Sequence, residues 1–108
     1  DDILVNVPIT FPQAVFGAEI DAPVLDGKVK MKVPPGTQSG KIFRLRGRGF
    51  PHLRSYGSGD EHVRIFVEVP QSLNAKQAKI LKEFAAVPGN ELTPLRKSFL
   101  ERLKRLVK

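Results

Sequence analysis

Any chemistry in this chain would have to come from two histidines, His52 and His62, and eleven carboxylates, because its 108 residues include no cysteine. That absence excludes disulfides, thiolate-bound zinc, iron–sulfur clusters and a thiol nucleophile, and it fits a reducing compartment. Nucleophilic or acid–base catalysis needs a nucleophile beside a base, or paired titratable groups in a cleft. His52 stands in a loop rich in Pro and Gly, and His62 falls on the outward face of a strand. Asp60-Glu61-His62 has the residue types of a metal site, but neighbours along a strand point to opposite faces and cannot converge on one ion. Gly47-Arg48-Gly49 is too short for a dinucleotide loop and opens no helix, so it reads as a bend between strands. The expectation is no catalytic residue, no metal and no cofactor.

The formal charge is +7, and more than half of it lies in the tail, where Arg96, Lys97, Arg102, Lys104, Arg105 and Lys108 face only Glu91 and Glu101. Lys28, Lys30 and Lys32 alternate along a strand, and Arg44, Arg46 and Arg48 form a second row. The lysine row could track phosphates and the arginine row adds to the basic surface, and with a charge of +7 a basic nucleic-acid-binding domain is the alternative function. No aromatic residue interleaves with the lysines as a stacking platform, so a solvated face that discourages strand-to-strand association is the favoured reading. Leu4 and Phe66 are apolar residues among polar neighbours on outward faces. If their strands are close they form a patch for an extended peptide, the competing reading being that the helix from Ala75 covers them.

The elements that must position these residues follow from periodicity. Ile3, Val5, Val7 and Ile9 alternate, as a half-buried strand requires. Thr10-Phe11-Pro12-Gln13 carries a cap, a first-turn Pro and a capping-box Gln, and Gly17 stops the short helix. Ala18 to Val24 and Lys28 to Val33 alternate around Asp26-Gly27, a hairpin signal. Pro34 to Gly40 is a loop by composition, Lys41 to Arg46 a strand with Phe43 and Leu45 on one face, and Gly47 to Gly59 mostly turn. Glu61 to Val69 reads as a strand with Val63, Ile65, Val67 and Val69 inward. Leu73-Asn74-x-x-Gln77 opens a helix whose face is Gln77, Ala78, Leu81, Phe84 and Ala85, ended by Pro88-Gly89-Asn90. Thr93-Pro94 starts a last helix through Val107. Strands first and helices last predict a mainly β fold: a small antiparallel β-sandwich with a short helix near the N-terminus and two C-terminal helices. No apolar stretch approaches the roughly 20 residues that span a bilayer, so no membrane partner is expected. A first residue of Asp1 rather than Met points to a piece of a longer chain.

Val33-Pro34-Pro35-Gly36-Thr37-Gln38-Ser39-Gly40-Lys41, then Arg44-Leu45-Arg46-Gly47-Arg48-Gly49-Phe50-Pro51 and Gly59-Asp60 before a Val/Ile strand, resembles the second C-terminal β-domain of DnaJ-type co-chaperones. Val5-Asn6-Val7-Pro8-Ile9-Thr10-Phe11 and Pro23-Val24-Leu25-Asp26-Gly27 match as well, and Pro94-x-x-Lys97-Ser98-Phe99 resembles the family's C-terminal dimerisation helix. The resemblance implies a cytoplasmic binding and assembly module that holds unfolded client polypeptide for delivery to a DnaK-type chaperone. The chain has neither the His-Pro-Asp of a J-domain nor a Cys-rich zinc module, so contact with the DnaK-type partner falls to other parts of the parent. It also lacks the preceding β-domain, where the family's better-defined client groove lies, so client binding is expected to be weak and to use Leu4 and Phe66. The expected organisation is a β-domain with its trailing helix over 1–87, a linker over 88–94 and a dimerisation helix over 95–108. Leu95, Phe99, Leu103, Leu106 and Val107 form one helical stripe and are the expected homodimer interface. Packing of that stripe back onto its own β-domain is the alternative, opposed by the Pro88-Gly89-Asn90 break.

Overall fold

The structure is a computed structural model that describes residues 2–49 and 59–107. The expected turns over 50–58, with His52, lie outside the described residues. Two compact units divide the chain, residues 1–70 and 71–108. The helix over 75–86 falls in the second unit.

In the first unit β1 (Ile3–Thr10) runs into α1 (Phe11–Phe16), followed by β2 (Ala18–Val24), β3 (Gly27–Val33), β4 (Ile42–Leu45) and β5 (Glu61–Glu68). The expected capping box forms: the Gln13 amide donates to Thr10 Oγ1 at 3.2 Å and the Thr10 amide to Gln13 Oε1 at 2.9 Å. β2 and β3 make an antiparallel hairpin in which Val24 pairs with Gly27, so the two-residue turn is Leu25-Asp26, one position earlier than the Asp26-Gly27 signal suggested. Gly27 takes φ +139° and begins the return strand instead.

The other sheet has the order β1-β5-β4. β4 pairs antiparallel with β5, but β1 pairs parallel with it, Ile3 beside Glu61 through to Thr10 beside Glu68. The mainly β class holds, and this pairing corrects the expectation of antiparallel strands throughout. Parallel neighbours need a long crossover, and the stretch from α1 to β4 supplies it. Ile9, Ala14, Ala22, Met31, Val33, Val63 and Ile65 form the core, drawn from both sheets and α1, with Phe43 and Leu45 packed against it. Val69, expected inward, is 80% exposed, because β5 ends at Glu68, where its pairing with β1 runs out.

Glu61 also faces inward, 1% exposed, and among the described residues its Oε2 atom has no hydrogen-bond partner. Burial raises its carboxyl above the ordinary value of 4.5, with nearby Arg48 acting in the opposite sense. An acid whose folded pKa is raised favours folding below its unfolded pKa, and that advantage is lost as pH climbs toward the folded value. Glu61→Gln keeps a neutral polar group of the same shape and is therefore expected to match the parent near pH 4 and to be more stable by about 1–3 kcal/mol near pH 7.5, where the parent must bury an ionised carboxylate or hold it protonated. Urea unfolding at fixed protein concentration measures it. A difference that does not change with pH would contradict this assignment.

In the second unit α2 (Ala75–Ala86) is closed by the expected box, Gln77 N–H to Asn74 Oδ1 at 2.8 Å and Asn74 N–H to Gln77 Oε1 at 3.2 Å. A single 3-10 turn, Asn90–Leu92, lies within the stretch read as linker. α3 (Pro94–Leu106) begins with Pro94 in its first turn, but Thr93 makes no side-chain cap. No described helix is long and apolar enough to cross a membrane.

Candidate functional site

The outer face of the three-stranded sheet is set by register. Leu4 lies beside His62, Asn6 beside Arg64, Pro8 beside Phe66 and Thr10 beside Glu68. Leu4 and Phe66 are each 54% exposed on this face. They do not form one patch, because the Asn6–Arg64 pair stands between them, with Arg64 Nε donating to Asn6 Oδ1 at 2.7 Å. Phe66 instead shares its surroundings with Pro8. Both line a cleft of about 640 Å³ together with Asn6, Ser39, Gly40, Arg64, Ile65 and Glu68.

The cleft exists because β4 is short. Its pairing with β5 stops at Ile42 beside Arg64, and the loop before it continues along the same edge. Gly40 N–H donates to the Ile65 carbonyl at 2.7 Å, Ile65 N–H to the Lys41 carbonyl at 2.8 Å and Val67 N–H to Ser39 Oγ at 3.0 Å. Small residues thus occupy the place of a third strand beside Phe66 and leave space above it. At its other end the loop returns to α1, whose Ala14 carbonyl accepts from the amides of Gly36 at 2.8 Å and Thr37 at 3.1 Å. The Pro-Pro-Gly-Thr-Gln-Ser-Gly run is therefore a clamp between the short helix and β5, satisfying carbonyls that a helix end leaves open.

The second motif closes on itself around Asp60. The Gly47 amide donates to Asp60 Oδ1 at 2.9 Å, Arg44 pairs with Oδ2, and Gly49 N–H donates to the Gly59 carbonyl at 2.9 Å. These bonds hold the Asp60 carboxyl below its usual range, the Gly47 amide contributing most and Arg44 next. Asp60 N–H donates to Asp2 Oδ1 at 2.8 Å while His62 Nε2 meets Asp2 Oδ2 at 2.9 Å, and Asp2 is lowered by the same two contacts, the backbone one first. Glu61 points into the core while His62 stays on the outer face beside Leu4, as strand alternation requires, so the three consecutive residues do not converge on one point. Sequence reasoning missed that Asp2 joins this network. Its partners are some 58 to 60 positions away and no local signal links them.

The lysine row lies across from acids. Lys28 pairs with Asp21 at 3.5 Å and Lys30 with Glu19 at 3.6 Å, and Arg48 approaches Asp26 at 3.9 Å. Exposed pairs of this kind add little stability, but they offset the positive field that nucleic-acid binding would need. On α3, Leu95, Phe99, Leu103 and Leu106 are all exposed and fall within about a third of the helix circumference. Val107, also exposed, caps the helix instead of lying inside it.

Comparison with known proteins follows this division. The family described as DnaJ C terminal domain matches residues 1–70, and that described as Chaperone protein DnaJ C-terminal region matches residues 76–106. The chain is 52% identical over all of its 108 residues to a Chaperone protein DnaJ of Listeria monocytogenes, of which it covers 29%. It is 49% identical to one of Ruminiclostridium cellulolyticum and 48% identical to one of Acetivibrio thermocellus, in each case over 104 residues, 96% of this chain and 27% of the relative. The chain thus spans less than a third of the length of these relatives.

Proposed function

The chain belongs to the DnaJ C-terminal domain family, and from that premise we propose that it is the homodimerising end of a cytoplasmic co-chaperone, holding unfolded client weakly for transfer to a DnaK-type partner. One observation carries the reading: each unit leaves clustered apolar side chains in solvent, Pro8 and Phe66 at the cleft and Leu95, Phe99, Leu103 and Leu106 on α3. Clustered apolar surfaces of this kind are the places where a partner gains most from losing water. Client occupies the first and a second copy of the chain the second. Transfer to the DnaK-type partner depends on the rest of the parent protein. The absence of cysteine accords with a reducing compartment.

Client binding is tested by titrating a fluorescein-labelled, leucine-rich unfolded peptide and following anisotropy up to millimolar protein. Saturable binding is expected, weakened about fivefold by Phe66→Ser and little by Leu4→Ser, since Leu4 lies beyond the Asn6–Arg64 pair. No saturation, or a Phe66→Ser variant that binds like the parent, refutes the client role of this face. Salt separates the alternative function. Apolar binding persists in 0.5 M salt, whereas phosphate binding falls steeply.

A further inference from the structure

We infer that the cleft beside Phe66 selects extended client segments in which one apolar residue is flanked, two positions away on either side, by an acidic residue and by a basic one. The inference rests on the client reading above and concerns what that face prefers. Arg64, Phe66 and Glu68 are alternate residues of β5, so all three stand on the outer face and all three line the cleft. Arg64 and Glu68 are four residues apart, about 13 Å, which an extended peptide covers in the same number of residues. Among the described residues neither of these charges forms an ion pair. Arg64 spends its Nε on Asn6, and among the described residues its terminal nitrogens enter no ion pair.

The backbone beneath the cleft cannot take the peptide as an added strand, because the amides of Ile65 and Val67 and the Ile65 carbonyl already bond to Lys41, Ser39 and Gly40. Recognition here is therefore by side chains and not by main-chain pairing at the edge of β5. An apolar side chain lies on Pro8 and Phe66, and the flanking residues reach the two charges. Without main-chain pairing the cleft has no fixed strand direction, so the order of the two charges in the peptide is immaterial and their opposite sign is what counts.

Three fluorescein-labelled peptides test this on the full chain: Gly-Asp-Ser-Leu-Ser-Lys-Gly, its two-acid version and its two-lysine version. The mixed peptide is expected to bind about three- to tenfold more tightly than either of the others, the range that two exposed ion pairs supply, and 0.5 M salt is expected to erase the preference. In Glu68→Lys, an exposed substitution outside the core, the two-acid peptide becomes the preferred one. Equal binding of all three, or an unchanged preference in Glu68→Lys, overturns the inference and leaves the client reading standing. Failure of all three to bind overturns both.

Discussion

Ending the chain at Glu91 abolishes the dimer: sedimentation velocity is expected to give a dimer for the intact chain and a monomer for the shortened one. Thirteen residues make α3 about 20 Å long, too short to be stable alone in water, so its order depends on packing. Its apolar stripe is exposed in the single chain, with Leu95 at 79% and Leu106 at 81%. Full burial of a Leu or Phe is worth about 1.5–3 kcal/mol, and a two-fold interface would bury the stripe twice. That sum can exceed an association cost of about 4–15 kcal/mol. Arg96 and Arg102 flank the stripe and repel their copies, so added salt is expected to leave the dimer intact or tighten it. Phe99→Asp with Leu103→Asp should dissociate the dimer in a chain of full length. Two dimers or two monomers in the truncation pair would remove the interface from α3.

Gly17→Ala is expected to cost about 2–4 kcal/mol of stability, and Gly36→Ala about 1 kcal/mol. Both glycines have positive φ, +82° and +79°, but only one is enclosed. A Cβ on Gly17 would come within 2.9 Å of the Val33 carbonyl oxygen and of Pro35 Cδ, whereas one on Gly36 meets nothing within 4 Å. Gly17 ends α1 at the point where the Pro-Pro-Gly loop crosses it, so the extra methyl group presses on the clamp that carries Ser39 and Gly40 to the cleft. Urea unfolding of the two variants at one protein concentration is the comparison. Equal losses would mean that the backbone angle alone matters and that the close approach carries no weight. Phe66-dependent peptide binding should weaken in Gly17→Ala at temperatures where the variant remains folded.

Periodicity and capping are local, and what rests on them was legible in the residues themselves. The alternation of Ile3 to Ile9, the Thr10/Gln13 and Asn74/Gln77 boxes, the inward faces of β3 and β4 and the amphipathic α3 all depend on neighbours within four positions. The opposite facing of Glu61 and His62 was legible in the same way. The family motifs were equally visible in sequence, but their physical purpose was not. Gly47 with Asp60, and Ser39 with Val67, are joined across 13 and 28 positions, and only the folded chain brings them together.

Tertiary structure alone decided which outward-facing residues make a site. Alternation places Leu4 and Phe66 on the same face, but register decides their distance, and the parallel pairing of β1 with β5 puts Asn6 and Arg64 between them. It also set Phe66 beside Pro8, and the early end of β4 opened the cleft above them. Strand pairing is chosen by the sum of many non-local contacts and by the length of the crossover, neither of which is written in any short window of residues. The same holds for Glu61. Its place on the inner face follows from strand parity, but that Oε2 finds no partner among the described residues depends on what the rest of the fold brings near it.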